Sequence, residues 1–424
     1  MTATPGKAGP GEPLTIGVIA AEASGDRLGA ALMRALKSRQ QTIRLIGIGG
    51  GEMLAEGLQQ LVPAQHFAFI GFGLVTHLPA IFRYIRAVSE AVVAARPNVL
   101  VIIDSPELTH RVAKRVRAAA PSIPIVDYVS PSVWAWRPGR ARAMRAYIDH
   151  VLALLPFEPQ AHERLGGPPC SYVGHPLIEQ LNALRPSADE AARRQADPPV
   201  VLALPGSRRG EISRMANVFG RAIALLNKDR MGAVEVVVPT VPHMKDSVLA
   251  ATGHWAVQPR VVVDPAEKWT AFRIARAALA KSGTVTLELA LSGVPMVAAY
   301  KVSLFDEMVA RATVNVPSVI LANLVIGENV VPELLQRECT PTTLADALAP
   351  LLADSPDRRR QVEAFARLDS IMEVGIAFPS ERAAELVLSY AAKPRAGCAN
   401  SFARPRESGE PEITKGSGFP LARD

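Results

Sequence analysis

A pattern of short β-branched runs, each followed by a longer run rich in Ala, Leu and Arg, occurs twice in succession along this 424-residue chain. Residues 14–20 (LTIGVIA), 43–48, 99–103 (VLVII), 125–129 and 150–155 read as buried strands. Between them, residues 25–39 place Leu28, Leu32 and Leu36 at helical spacing, residues 82–95 place Ile85, Val88 and Val92 there, and residues 109–120 also read as helix. The second series has strands at 200–204, 234–239, 261–264, 277–281 and 294–300, with helices at 211–227 and 284–291. Continuous apolar strands are buried on both faces, which requires parallel sheets covered by helices. The expected fold is therefore α/β, with two Rossmann-like doubly wound domains facing across a cleft. Ligands of such sheets bind beyond the carboxyl ends of the strands.

The expected divisions are a flexible leader at 1–12, an N-terminal α/β domain at 13–181 and a polar, Pro-flanked stretch at 182–199 that is a linker between the domains or begins a linker helix. A second α/β domain follows at 200–356, then C-terminal helices at 357–392 and a disordered tail at 393–424. A composition of 49% hydrophobic and 21% charged residues excludes a chain disordered throughout. Cys170, Cys339 and Cys398 are too far apart for a metal pair and too few for a disulfide framework, which points to a reducing compartment. No His, Cys or acidic cluster has the spacing of a metal site.

Residues 62–82 lack Asp, Glu, Lys and Arg, a length that reaches a membrane span. Pro63, Gly71, Gly73, His77 and Pro79 interrupt it, and unpaired backbone groups are not tolerated in lipid. The expectation is a segment that touches a membrane surface without crossing it. Phe69, Phe72, Leu74 and Leu78 supply its apolar side, and Arg83 and Arg86 a rim suited to an anionic bilayer. Burial in a core or a dimer contact is the competing reading.

Five loops carry candidate chemistry. Glu22, Ser24, Gly25 and Asp26 join the first strand to the first helix, where Gly25 permits a close turn and the free amides suit an anion or a hydroxyl-rich ligand; Ser24 or Asp26 acting as a helix cap is the alternative. Asp104 ends the strand 99–103, the place where α/β enzymes present a catalytic carboxylate, and capping by Asp104 or Ser105 fits equally well. Residues 128–137 (YVSPSVWAWR) put Ser130, Trp134 and Trp136 directly before Arg137, Arg140, Arg142 and Arg145, a guanidinium cluster able to hold phosphate. Residues 204–208 (LPGSR) offer Arg208 beside a Gly/Ser turn at a helix entrance, and they lack the P-loop pattern. Residues 281–288 open a helix with Ser282, Gly283 and Thr284 and carry Glu288, suited to ribose hydroxyls. His175, in a Val-Gly-His-Pro string at the domain boundary, reads as a ligand contact or as a satisfied structural residue.

Together these strings resemble the lipid-A-disaccharide synthase family: AEASGD at 21–26, YVSPSVWAWR, LPFE at 155–158, VGHP at 173–176, LPGSR, Ser282-Gly283-Thr284 with Glu288, and Asn323-Leu324. They stand in the family's order between residues 14 and 392. The resemblance implies a two-domain glycosyltransferase of the B type that needs no metal or other cofactor. It joins UDP-2,3-diacylglucosamine to 2,3-diacylglucosamine 1-phosphate with inversion, giving a β-1,6-linked disaccharide 1-phosphate and UDP. It implies a cytoplasmic enzyme, peripheral on the anionic cytoplasmic face of the inner membrane, in lipid A biosynthesis, of a family whose members can pair as swapped dimers through their C-terminal parts. It makes 13–181 the acceptor-side, membrane-facing domain and 200–356 the UDP-sugar domain.

Residue by residue, it implies Asp104 as base with Glu22 second, and Arg208, Ser282, Gly283, Thr284, Glu288, Asn323 and Gln336 toward the donor. It implies Ser24, Gly25, Ser130, Trp136, Arg137 and His175 toward the acceptor and its phosphate. The chain departs from the family's pattern at Ala21, at Thr109 where Asn is usual, and at Gly51 where the second glycine loop usually has Pro. Two alternatives stand beside it. A sugar-nucleotide epimerase or a peptidoglycan glycosyltransferase of the same fold would share the second-half loops without YVSPSVWAWR. A non-enzymatic basic protein binding membrane or RNA would need the Arg cluster without Glu288; a short cluster with no RNA-binding module argues against nucleic acid.

Overall fold

The computed structural model describes residues 13–63, 74–229, 233–302, 307 and 316–392. The first sheet is parallel throughout and contains β1 (Leu14–Ala20), β2 (Ile43–Ile48), β3 (Gln59–Gln60), β4 (Val99–Ile103), β5 (Ile125–Tyr128), β6 (His150–Ala153) and β7 (Cys170–Tyr172). Their order is β3-β2-β1-β4-β5-β6-β7, so the winding reverses between β1 and β4, where Ala20 lies opposite Ile103. Its helices are α1 (Ala23–Arg39), α2 (Gly51–Ala55), α3 (Leu74–Ala95), α4 (Pro106–Ala119), α5 (Gly139–Met144) and α6 (Glu158–Arg164).

Side chains alternate across each strand, so both faces carry a core. Ile16, Val18 and Val101 pack under Leu32, Met33 and Leu36 of α1. Ile19, Leu100 and Ile102 pack under Ile85, Val88 and Val92 of α3 and Val112 and Val116 of α4.

The second sheet, also parallel, contains β8 (Val200–Leu204), β9 (Glu235–Pro239), β10 (Arg260–Val262), β11 (Ala277–Lys281), β12 (Met296–Tyr300) and β13 (Glu333–Leu335). Its order, β10-β9-β8-β11-β12-β13, reverses between β8 and β11. Val200, Leu202 and Leu204 face one core, and Val201 and Ala203 the other. A strand reversal leaves a crevice between the two loops that leave it. The molecule has one such crevice at Ala20 and Ile103 and another at Leu204 and Ala280.

Two segments sit differently from the sequence expectation. Residues 182–199 carry the helix Ala188–Gln195, whose Arg194 is buried and donates to the carbonyls of Phe272, Arg273, Ser292 and Gly293, so the stretch is stitched into the second domain. Residues 357–392 divide between the domains. Phe365 and Leu368 join the second core, whereas Ala383, Ala384, Val387 and Ala391 of the helix Pro379–Ala392 join the first, beside α1. The leader, the tail, Phe69, Phe72 and the side chains of Leu74 and Leu78 lie outside the described residues. No described helix is long and apolar enough to cross a membrane. On α3, Ile81, Tyr84 and Ile85 are buried while Phe82, Arg83 and Arg86 are exposed.

Candidate active site

At the first reversal, Asp104 and Ser105 leave β4 with φ of 54° and 46°. Two successive non-glycine residues in the left-handed region are strained by roughly 1–3 kcal/mol each, and the surroundings must hold them. They do. Asp104 N–H donates to the Tyr128 carbonyl at 3.1 Å, Ser105 N–H to Asp104 Oδ1 at 2.7 Å, and the Thr109 hydroxyl to the Asp104 carbonyl at 2.7 Å. Across the reversal, the Ser24 hydroxyl on α1 donates to Asp104 Oδ2 at 3.0 Å. Thr109 thus braces the backbone of Asp104 rather than its carboxylate. Glu22 is exposed at the N-cap of α1 and caps nothing with its side chain.

Asp26 has a separate task. Its buried carboxylate accepts from the N–H groups of Gly50, Glu52 and Met53, capping α2 rather than its own helix. A Cβ on Gly50 would stand 2.5 Å from Asp26 Oδ2, so only glycine fits there. The glycine loop at 47–52 therefore has its Gly50 and Glu52 amides filled by a carboxylate of the protein.

The Trp loop leaves β5 and is clamped by α6. Glu158 is buried and accepts from Trp134 Nε1 at 3.1 Å and from the N–H groups of Leu154 and Leu155. Ser130 Oγ lies 2.8 Å from His162 Nε2, one turn further along α6. The Trp134 ring meets Phe157 edge-on at 5.1 Å, and the Arg137 guanidinium lies 4.2 Å over Trp136.

Burial pushes the Glu158 carboxyl up to about 7, against the lowering effect of its three donors. The folded protein therefore holds a proton there that the unfolded chain has lost. That stabilisation is full below the ordinary value of 4.5 and vanishes as pH rises through about 7. It amounts to about 3 kcal/mol. Urea denaturation of wild type and Glu158→Gln, at about pH 5 and about pH 8, should show a steeper loss with pH in the wild type. Equal slopes would show that Glu158 keeps its charge in the fold.

At the second reversal, the loops after β8 and β11 enclose a cavity of about 540 Å³. Gly206, at φ 124°, turns the first loop, and a Cβ there would strike Glu211 at 2.5 Å. Arg208, Lys268, Lys281, Glu211 and Glu288 line the cavity together with Ser282, Gly283 and Thr284, and Arg27 reaches it from α1 of the other domain. Lys281 lies 3.1 Å from Glu211, Arg208 3.3 Å from Glu211, and Lys268 2.8 Å from Glu288. Burial opposes the charge on Glu211, but Lys281, the Ser207 N–H and Arg208 outweigh it and hold its carboxyl below the usual range. Four cations against two carboxylates leave a net charge of two positive units, equal in size and opposite in sign to that of an esterified diphosphate.

The family model described as lipid-A-disaccharide synthetase matches residues 16–384. The lipid-A-disaccharide synthase of Nitrobacter hamburgensis is 58% identical over 373 residues, covering 88% of this chain and 94% of that protein. The chain belongs to the lipid-A-disaccharide synthase family. That of Rhodospirillum centenum is 40% identical, covering 90% and 96%. Among solved structures, a calicheamicin glycosyltransferase superposes with a TM-score of 0.56 at 17% identity, covering 91% of this chain and all of that one. The UDP-GlcNAc 2-epimerase of Neisseria meningitidis bound to UDP-GlcNAc gives 0.54 at 13%, covering 89% and 100%. These show a shared two-domain fold of the B type. The chain is thus a glycosyltransferase of lipid A biosynthesis, and neither the binding-protein nor the epimerase alternative is favoured.

Of the residues that the family motifs single out, the structure gathers Arg208, Ser282, Gly283, Thr284 and Glu288 at one cavity, and Asp104, Ser24 and Gly25 at one reversal. Others it turns inward. Asn323 is buried with its amide fully engaged by Val330, Val331 and Glu333. Gln336 bonds Val302 N–H and Glu307. His175 accepts from Leu177 N–H, and burial holds it down at about 4, so it is neutral at physiological pH. Ser130 is held by His162, and Ser282, although it lines the cavity, donates its hydroxyl to the Val319 carbonyl. These five brace loops with the groups seen here.

Sequence reasoning did not single out Arg27, Glu211, Lys268 or Lys281. Lys281 stood in a quoted motif as a strand end, and Arg27 lies three residues past Ser24, hence on the same helix face. Lys268 carries no local signal.

Proposed function

We propose that the 6-hydroxyl of 2,3-diacylglucosamine 1-phosphate attacks the anomeric carbon of UDP-2,3-diacylglucosamine in this cleft, with inversion and departure of UDP. The observation that carries this reading is the cavity at the β8/β11 reversal, with its two surplus positive charges and Glu288 beyond them. The diphosphate would lie among Arg208, Arg27 and the amides of Gly283 and Thr284, where developing negative charge meets fixed donors without reorganisation. Glu288, held by Lys268, would accept from ribose. Asp104 would take the hydroxyl proton as the carbon–oxygen bond forms, its oxygens aimed by Ser24 and the Ser105 N–H.

Acylated substrates stay in the bilayer, so the cleft must come to it. Phe82, Arg83 and Arg86, exposed together on α3, would face an anionic membrane surface on the cytoplasmic side. The test is direct: purified protein with both substrates should yield a tetraacyl disaccharide phosphate by mass spectrometry and should bind UDP by calorimetry. Absence of both would overturn the reading.

A further inference from the structure

A second cavity, of about 910 Å³, is larger than the one assigned to the nucleotide. It lies between the Trp loop and α6 on one side and Val316, Pro317 and Leu324 of the second domain on the other. The loop follows β5 and α6 follows β6, the next two strands beyond β4 in the sheet. The cavity therefore opens on the same carboxyl edge as Asp104, one and two strand spacings along.

Its walls are apolar and already fixed. Trp134 is tied to Glu158 and meets Phe157 edge-on, and Val133, Leu165, Pro317 and Leu324 complete them. Its charged lining is Arg137 and Arg164, both exposed, with no carboxylate among the lining residues described. An apolar slot with two cations matches an amphiphile bearing a free phosphate. The nucleotide's diphosphate has its own cations elsewhere, so the phosphate suited to this mouth is one not linked to a nucleotide.

We propose that this cavity receives an acyl chain of the phosphorylated acceptor, with Arg137 and Arg164 at its phosphate. The proposal rests on the reading of the cleft given above and adds the place where the lipid part lies. The test uses acceptors with short acyl chains, kept monomeric in water, each two carbons longer than the last, assayed at saturating donor. In the wild type the acceptor KM should fall about fourfold for each added methylene that enters the slot.

Gln160→Trp changes an exposed residue at the cavity wall and places an indole in the opening. It should raise the acceptor KM at least tenfold and flatten the chain-length dependence, with donor KM and UDP affinity unchanged. Arg164→Ala should reduce the preference for the phosphorylated acceptor over its dephosphorylated form. If Gln160→Trp keeps the wild-type chain-length slope, or if it raises the donor KM instead, the proposal is overturned. If the wild type itself forms no disaccharide, the fault lies with the reading of the cleft and the slot falls with it.

Discussion

Asp104→Asn should lower turnover by about 10²–10⁴-fold, the usual contribution of a positioned general base, while KM for both substrates and the affinity for UDP stay within a few-fold. Asparagine is the informative replacement. It tolerates the left-handed backbone that Asp104 adopts at φ 54°, where alanine would add strain. Its amide oxygen can still accept from the Ser105 N–H, so the turn after β4 keeps its geometry. What it cannot do is accept a proton. A fall in kcat with KM unchanged is the signature of an interaction made only in the transition state. Circular dichroism and thermal melting should show an intact fold. Near-normal turnover would move the role to Glu22, which is exposed at the adjacent N-cap and has no structural duty there; Glu22→Gln would then carry the loss.

The strands on which this site rests could be read from the sequence because each is a short apolar run closed by polar turn residues. β1, β2, β4, β8 and β11 have the limits that the pattern predicts. Their ends define both reversals, so the loops at 22–26, 104–107, 204–211 and 281–288 were placed by topology alone. A motif says that a position matters but not which way its side chain faces. Asn323 and His175 are in matching strings, yet in the fold they bond backbone groups of nearby residues, and Gln336 bonds Val302 N–H and Glu307 across the chain.

Long-range returns are equally silent. Nothing local in residues 379–392 says that this helix crosses back to pack beside α1, or that Arg194 will bury itself under four carbonyls. Arg27 escaped for the same reason, since its partner surface lies on the other domain.

That cross-domain position gives the second large effect. Glu288 is matched to Lys268, and Glu211 is shared by Lys281 and Arg208, so the surplus charge of the cavity is carried by Arg27 and by the Lys281–Arg208 pair. Hydrogen bonds to a charged group contribute about 1.5–3 kcal/mol, so Arg208→Ala should lower kcat/KM roughly ten- to a hundredfold. Arg208 belongs to the second domain, where the nucleotide is proposed to lie, and its loss should weaken UDP binding by a similar factor. Arg27 acts from the opposite wall on α1, the helix that also carries Ser24 to Asp104. Arg27→Ala should therefore lower kcat more than it weakens UDP binding, because the leaving diphosphate gains charge only as the bond breaks.

If both guanidinium groups serve one diphosphate, the double variant should lose less or more than the product of the single losses, with a coupling of roughly 0.5–3 kcal/mol. Strict additivity would mean that they serve different groups. An Arg27→Ala enzyme with wild-type kcat would mean that the first domain leaves the diphosphate to the second, and that alignment of the base is its sole contribution to the chemical step.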